Sequence, residues 1–334
     1  MNLESVARRA KVSTATVSRT INGSDKVSPA TAARVRKAIE ALNFYPNTNA
    51  RALGTGRSHM FGLIISDITN PFFPELVKAF EDIAVEHGQE VLVTNTNYDP
   101  VRMEHCVRRM LQRKVDGVAI MTSEMDEAFL TSFSKRGIPM VFLDNGRPLK
   151  NVSNIVVDYK AGIDCAVQHL TDLGHRHIAF IGGPSRLAPA KARTDAFLSS
   201  MAEHKIAVNP AWMREGDYRV GGGHDAMLSI LAAKRRPTAV IASNDLTAIG
   251  AIGAIHERGL HVPGDLSIIG FDDIQLSAFT QPPLTTLRLP RDVVATMAFH
   301  ALFQSYEKTK KASPSENVIH PFLVVRGSTG PVAR

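Results

Sequence analysis

Residues 3–28, LESVARRAKVSTATVSRTINGSDKVS, decide how the chain begins to fold. Asn2 stands where it can cap a helix from Leu3 to Ala10, with Leu3, Val6 and Ala7 on one apolar face. Lys11, Val12 and Ser13 then turn the chain, and Ser13 caps a second helix from about Thr14 to Ile21. In that helix Val17 and Ile21 lie four apart and point inward, leaving Thr14, Ala15, Ser18 and Arg19 outside. Gly23 is placed to end it. A third helix has Ser28 as its cap and Pro29 in its first turn, followed by Val35, Ala38, Ile39 and Leu42 on one face. Two short helices around a tight turn, with a third behind them, make a helix-turn-helix, whose second helix enters the major groove by its N-terminal end.

Charge points the same way. Ten of the 39 Lys and Arg lie within the first 58 residues, against three of the 32 Asp and Glu, so this segment carries the whole net charge of +7. A basic module on an electrically balanced body suits phosphate neutralisation at one end of a molecule. A solvated charge run would lack the caps and the hydrophobic periodicity.

These stretches, with LNFYPNTNARALGTGRS at 42–58, resemble the headpiece and hinge of the LacI/GalR family of bacterial transcription regulators. The resemblance continues through NPFF, VDG, GHRHIAFIGG, GDY, RPTAVIASND, GLHVPGDLSIIGFDD and PPLTTLRLP, and so covers essentially the whole chain. It implies that Thr14, Ala15 and Arg19 read bases, with Thr16 and Ser18 touching backbone or supporting. Arg19 can fork onto guanine O6 and N7, whereas Ala15 offers only a methyl group, suited to thymine or simply tolerated close to the groove. Asn47 to Leu53 resembles the family's hinge helix in the minor groove, with Asn47 on the DNA and Leu53 the wedge that partly unstacks the central base step. At about seven residues it is too short to stand alone. Asn49 departs from the apolar residue usual there, and Leu53 read without the resemblance is an ordinary linker leucine.

Beyond residue 60 strands alternate with helices. Strand-like runs are Phe61–Ser66, Val91–Thr96, Gly117–Met121, Met140–Asp144, Ile155–Asp158, Ile178–Gly183, Ala239–Ser243 and Leu266–Asp272. Amphipathic stretches such as Glu75–His87, Val101–Arg113, Ala161–Leu173 and Leu246–Arg258 lie between them. This rhythm predicts parallel sheets with right-handed crossovers, and the length suits two similar lobes. Ligands bind beyond strand C-termini in such sheets, where Asp67, Thr96, Asn97, Ser123, Asp144, Asn145, Asp158, Asn244 and Asp272 all fall.

The resemblance implies the fold of periplasmic sugar-binding proteins, two lobes closing on a small molecule. Asn70, Phe72, Phe73, Ser123 and Asn145 would come from one lobe, Arg193, Tyr218, Asn244 and Asp272 from the other. Bidentate Arg193 and a carboxylate at Asp272 suit vicinal hydroxyls. Phe72 and Phe73 offer ring faces or fill core, and Asp272 alternatively caps the turn after its strand. Asn145 stands where purine-binding relatives carry a stacking tryptophan, which favours a sugar or polyol. A purine-responsive repressor and a global regulator controlled by a phosphorylated protein partner stay open.

Enzyme signals fail. Gly182-Gly183-Pro184 is not a dinucleotide fingerprint, and no P-loop lysine follows it. His175 and His177 have no Cys or acidic cluster beside them and read as surface or turn histidines, so neither metal nor cofactor is implied. Gly221–Gly223 opens a helix, a weak anion signal. Two cysteines, Cys106 and Cys165, suit a reduced cytoplasm, and no run has the length of a membrane span or the pattern of a signal peptide. The expected organisation is an all-α helix-turn-helix headpiece (1–46), a hinge and linker (47–59), and a two-lobed α/β effector-binding and dimerisation domain with parallel sheets (60–334). The expected partners are a pseudo-palindromic DNA operator, a small-molecule effector and a second copy of the chain, in the cytoplasm and at the nucleoid when bound to operator.

Overall fold

The structure, a computed structural model, describes residues 2–21, 23–45, 57–122, 131, 133, 135–144, 152–307 and 316–332. It separates into two units, Met1–Ser58 and His59–Arg334. Asn47, Leu53, Ser123 and Asn145 lie outside the described residues.

The first unit holds α1 (Leu3–Ala10), α2 (Thr14–Ile21) and α3 (Pro29–Ala41). Asn2 accepts from the Ser5 amide, Ser13 from the Thr16 amide and Ser28 from the Thr31 amide, each satisfying a donor that its helix leaves open. Gly23 ends α2 at φ 66°, in the left-handed region. Val6, Ala7, Ala10, Val17, Val35 and Ala38 form the core, with Ile21, Ile39 and Leu42 packed on it. Leu3 departs from the expected apolar face: it is 36% exposed. Ala10, one turn beyond Val6 and Ala7, is buried in its place.

The second unit has two six-stranded sheets. The first runs β11-β5-β4-β3-β1-β2, built from β1 (Met60–Ile65), β2 (Glu90–Asn95), β3 (Gly117–Met121), β4 (Met140–Leu143), β5 (Ser153–Val157) and β11 (Glu316–Ile319). All its described pairings are parallel. The second runs β12-β10-β9-β8-β6-β7, from β6 (Ile178–Gly182), β7 (Met213–Glu215), β8 (Ala239–Ala242), β9 (Ser267–Asp272), β10 (Thr285–Arg288) and β12 (Phe322–Val324). Here the edge strand β12 pairs antiparallel with β10. Helices α4 (Phe72–Glu86), α5 (Pro100–Arg113) and α10 (Arg291–Glu307) pack on the first sheet. The second is covered by α6 (Tyr159–Asp172), α7 (Ala188–Glu203), α8 (Val220–Leu231) and α9 (Asp245–Glu257).

The chain therefore crosses between lobes three times, after β5, after β10 and after β11. Burying both faces of a parallel sheet explains the unbroken apolar runs of β3, β6 and β8, whose every residue is buried. The crossings bring the C-terminal edges of both sheets to one cleft. His175 corrects a sequence expectation. It is not a surface residue but 2% exposed, with Nδ1 at 2.9 Å from Thr238 Oγ1 and Nε2 at 3.0 Å from the Gly330 carbonyl. His177 stays exposed, its ring edge against Trp212.

Candidate effector cleft and DNA-reading helix

On α2, Thr14, Ala15, Ser18 and Arg19 are exposed, while Val17 is buried beneath them. Thr16 is half-buried; its hydroxyl lies 3.0 Å from Ser13 Oγ and its carbonyl accepts from Thr20 Oγ1. Thr16 thus supports the helix start. The Arg19 carbonyl accepts from the Ser24 amide at 2.9 Å, and its side chain is exposed.

The cleft between the lobes contains a cavity of about 630 Å³, part of it open to solvent. Asn70, Phe72 and Phe73 line it from the first lobe, Arg193, Tyr218, Asn244 and Asp272 from the second. Most reach it from a loop or helix start beyond a strand end, Asp272 from the last residue of β9 and Arg193 from the second turn of α7. Asn70 Oδ1 accepts from the Phe72 amide at 3.1 Å and so fixes the start of α4. Phe72 and Phe73 meet edge to face and belong to the main core as well as to the cavity wall. Asn244 is committed on both sides: Oδ1 accepts from the Thr247 amide, capping α9, and Nδ2 donates to the Tyr218 carbonyl.

Arg193 is the centre. It is 8% exposed, and its guanidinium carbon stands 4.5 Å from the Phe271 ring centroid, 4.8 Å from Tyr159 and 5.6 Å from Tyr218. Such aromatic contacts favour a buried cation. Burial opposes its charge, but Tyr159, Tyr218, Asp272 and Asp144 around it outweigh that and raise its pKa. Arg193 Nε is buried with no hydrogen-bond partner, and the Tyr218 hydroxyl is buried beside the same guanidinium. Burial pushes the Asp272 carboxyl up to about 8 despite the nearby Arg193, with Asp245 adding repulsion. Burial also raises Asp144, against the Tyr159 hydrogen bond and Arg193. The cleft edge is rich in left-handed non-glycine backbone: Asp144 at φ 59°, Tyr218 at 65°, Asp272 at 112° and Asp273 at 54°. Strain of this kind gathers where a surrounding scaffold holds side chains for use. Gly183 makes room for it, since a Cβ there would fall 2.2 Å from Tyr218 Cζ.

Tyr98, Tyr159 and Leu289 also line the cavity and were not singled out from sequence. Tyr159 was findable, since it follows Asp158 directly beyond β5. Of the polar residues gathered at strand ends, Asp144, Asn244 and Asp272 reach the cavity. Asp158 instead caps α6 through the Ala161 amide. Asp67 orders its loop by accepting from the Thr69 amide and hydroxyl. Among the described residues no group of three or more His, Cys, Asp or Glu could hold a metal ion. Both cysteines are free, Cys106 buried and Cys165 exposed.

A helix-turn-helix unit and a two-lobed α/β unit with an interlobe cavity define a class, the ligand-controlled DNA-binding regulators. Residues 2–47 match the bacterial regulatory proteins of the lacI family, and residues 167–329 match a periplasmic binding protein-like domain. The chain is 36% identical over 333 residues to the HTH-type transcriptional repressor PurR of Glaesserella parasuis serovar 5 (strain SH0165), covering 98% of this chain and 97% of that protein. It is 35% identical over 329 residues to the ribose operon repressor of Escherichia coli (strain K12), covering 98% and 99%. The structure of the Lac repressor dimer bound to operator and the anti-inducer ONPF superimposes with a TM-score of 0.88 at 28% identity over 99% of each chain. The chain belongs to the lacI family of bacterial regulatory proteins, and it is a DNA-binding transcriptional regulator.

Proposed function

We propose that the chain is a repressor, not an enzyme, whose affinity for a pseudo-palindromic operator is controlled by a sugar or polyol held between its lobes. The carrying observation is the Arg193 guanidinium, buried at the cavity with its Nε unpartnered and the Tyr218 hydroxyl buried beside it. Buried donors need acceptors, and a ligand rich in hydroxyls supplies them while donating to Asp272 and Asp144. Similarity to a ribose operon repressor supports this reading. A purine is the second reading, because Phe72 and Phe73 give the cavity wall an aromatic surface suited to a planar ring. The regulator acts in the cytoplasm, at the nucleoid. No described helix is long and apolar enough to cross a membrane.

The DNA half of the reading places Thr14, Ala15 and Arg19 on base edges, Thr16 and Ser18 on the backbone or in support, and Asn47 and Leu53 in the minor groove. Ser123 and Asn145 complete the effector site from the first lobe. A homodimer matches the two-fold symmetry of the operator, and sedimentation equilibrium showing a stable tetramer at micromolar concentration would refute it. The central test is a thermal-shift screen over monosaccharides, sugar phosphates, nucleosides and purines, followed by operator titration with each hit. A ligand that binds only the folded state raises its stability. A hit that shifts melting but leaves operator affinity untouched overturns the regulatory role of the cleft.

A further inference from the structure

The cleft mouth is bridged by contacts that neither lobe uses for its own core. Arg219, just before α8 in the second lobe, donates from Nη2 to Asp67 Oδ2 at 3.1 Å and to Asn97 Oδ1 at 2.7 Å in the first. Beside it, Arg186 Nη2 donates to the Tyr98 carbonyl at 3.2 Å. The Tyr98 ring tilts onto Tyr218 at 5.9 Å and packs on the small apolar cluster of Leu187, Ala190 and Tyr218, which belongs to the second lobe. Tyr98 therefore reaches across from the end of β2 into its neighbour while also lining the cavity.

The backbone is shaped for this reach. Asn97 and Tyr98 stand at φ 54° and 57°, two consecutive non-glycine residues in the left-handed region, and Tyr218 opposite them stands at 65°. Such conformations persist only where the surroundings over-determine them. Here the Asn97 amide is held by the Ser66 carbonyl of its own lobe, and the Asn97 side chain and the Tyr98 carbonyl are held from across the cleft. A ligand lying wholly inside leaves these bridges intact. One that extends past this mouth must displace Tyr98 and break both arginine contacts.

We propose that Tyr98, held by Arg219 and Arg186, is a specificity-determining wall of the effector site, a clasp that opens to admit the effector and favours a single-ring ligand that it can enclose. The proposal rests on reading the cleft as the effector site, and the test separates the two.

Dyes placed at Gln112→Cys and Lys234→Cys, one on each lobe, in the full chain carrying Cys165→Ser report lobe separation by single-molecule energy transfer. Labelled protomers are diluted into excess unlabelled protein, and D-ribose and cellobiose serve as the probes. Without sugar, Arg219→Ala and Tyr98→Ala are expected to raise the open fraction several-fold, and Arg219→Lys to fall between them and the wild type. Transfer distributions identical to wild type overturn the clasp. With D-ribose, both alanine variants are expected to release the sugar at least ten-fold faster, and Tyr98→Ala to discriminate less against cellobiose. Cellobiose binding to the wild type with the cleft still closed, or undiminished discrimination in Tyr98→Ala, overturns the specificity claim. If neither sugar binds while the variants still open, the clasp stands and the ribose-like reading of the effector falls.

Discussion

Arg291 and Glu75 meet at 2.7 Å, and the same guanidinium donates to the carbonyls of Asp272 and Asp273. Arg291 stands where the chain crosses from the second lobe to the first, so one side chain ties the effector-facing loop after β9 to α4. Glu75 Oε1 also accepts from the Gln275 amide across the lobes. The backbone that carries Asp272 is therefore held from both lobes at once.

Arg291→Ala should weaken effector binding by about 1–3 kcal/mol, because charge-assisted hydrogen bonds that orient the Asp272 loop are lost. Ligand-free operator affinity should change little. Calorimetric titration with the screened effector reads the first and operator titration the second; equal losses in both would assign Arg291 to general stability.

Helices α8 and α9 pack backbone to backbone through Gly223 and Gly250. A Cβ on Gly250 would fall 2.0 Å from the Val220 carbonyl oxygen, and one on Gly223 2.3 Å from that of Thr247. Backbone cannot move aside as a flexible side chain can. Gly250→Ala should destabilise the body by about 1–3 kcal/mol or more, read as a lower denaturant midpoint with an unchanged slope. A neutral result would mean that the helices separate without cost.

Much of this architecture was legible because the signals were local. Caps at Asn2, Ser13 and Ser28 and the spacing of Val6, Ala7 and Val17 define the headpiece helices, and apolar runs mark β1 to β6, β8 and β9. What stayed hidden depends on partners distant in sequence. β7, β10 and β11 are three or four residues long and mix polar with apolar residues, so no apolar run marks them, and β12 has only three residues. β12 runs antiparallel because the chain crosses straight from β11 to the edge of the other sheet, which no residue pattern announces. His175 looked like a turn histidine, yet its partners Thr238 and Gly330 come from elsewhere in the chain. Arg193 and Tyr218 were legible only through family motifs, whereas Asp272 also stood at the end of a strand-like run. Tyr98 was missed because its contacts are with the opposite lobe.

The protonation of Asp272 predicts a pH dependence. Its folded pKa is raised from 3.8 to about 8, mainly by burial, so the folded body holds a proton that the unfolded chain releases. The stabilisation is full below about pH 4 and is lost as pH rises through about 8. Asp245, raised to about 6, adds to the lower part of that window. Asp272→Asn should flatten the fall in ligand-free stability between pH 6 and 8. An effector whose hydroxyls donate to Asp272 favours the carboxylate, so binding near neutral pH should release a proton and tighten as pH rises. Calorimetry in two buffers of different ionisation enthalpy measures this; identical apparent heats would sink it.

On the DNA side, Arg19→Ala should cost about 1–3 kcal/mol and relax specificity at one position of each half-site, because a bidentate guanine contact is lost. A uniform loss on all sequences would instead assign Arg19 to phosphate.

The effector site and the hinge should separate cleanly by mutation. A ligand shifts DNA affinity only by preferring one lobe arrangement over the other, so the side chains that hold it and those that read the result need not coincide. Arg193→Ala or Asp272→Ala should abolish the ligand response while leaving ligand-free operator binding nearly intact. The Arg193 guanidinium stacks among aromatic rings with Nε unsatisfied, so its truncation removes a donor to the ligand. Leu53→Ala should do the reverse, weakening operator binding and DNA bending with effector affinity off DNA unchanged. If the effector acts as a corepressor, ligand-free binding will already be weak in the wild type, and Arg193→Ala will behave as a DNA-binding defect that added ligand cannot relieve. Titrating operator binding for the wild type and the three variants, with and without effector at one fixed salt concentration, distinguishes these outcomes. Loss of the ligand response in Leu53→Ala together with loss of effector affinity would overturn the division of labour.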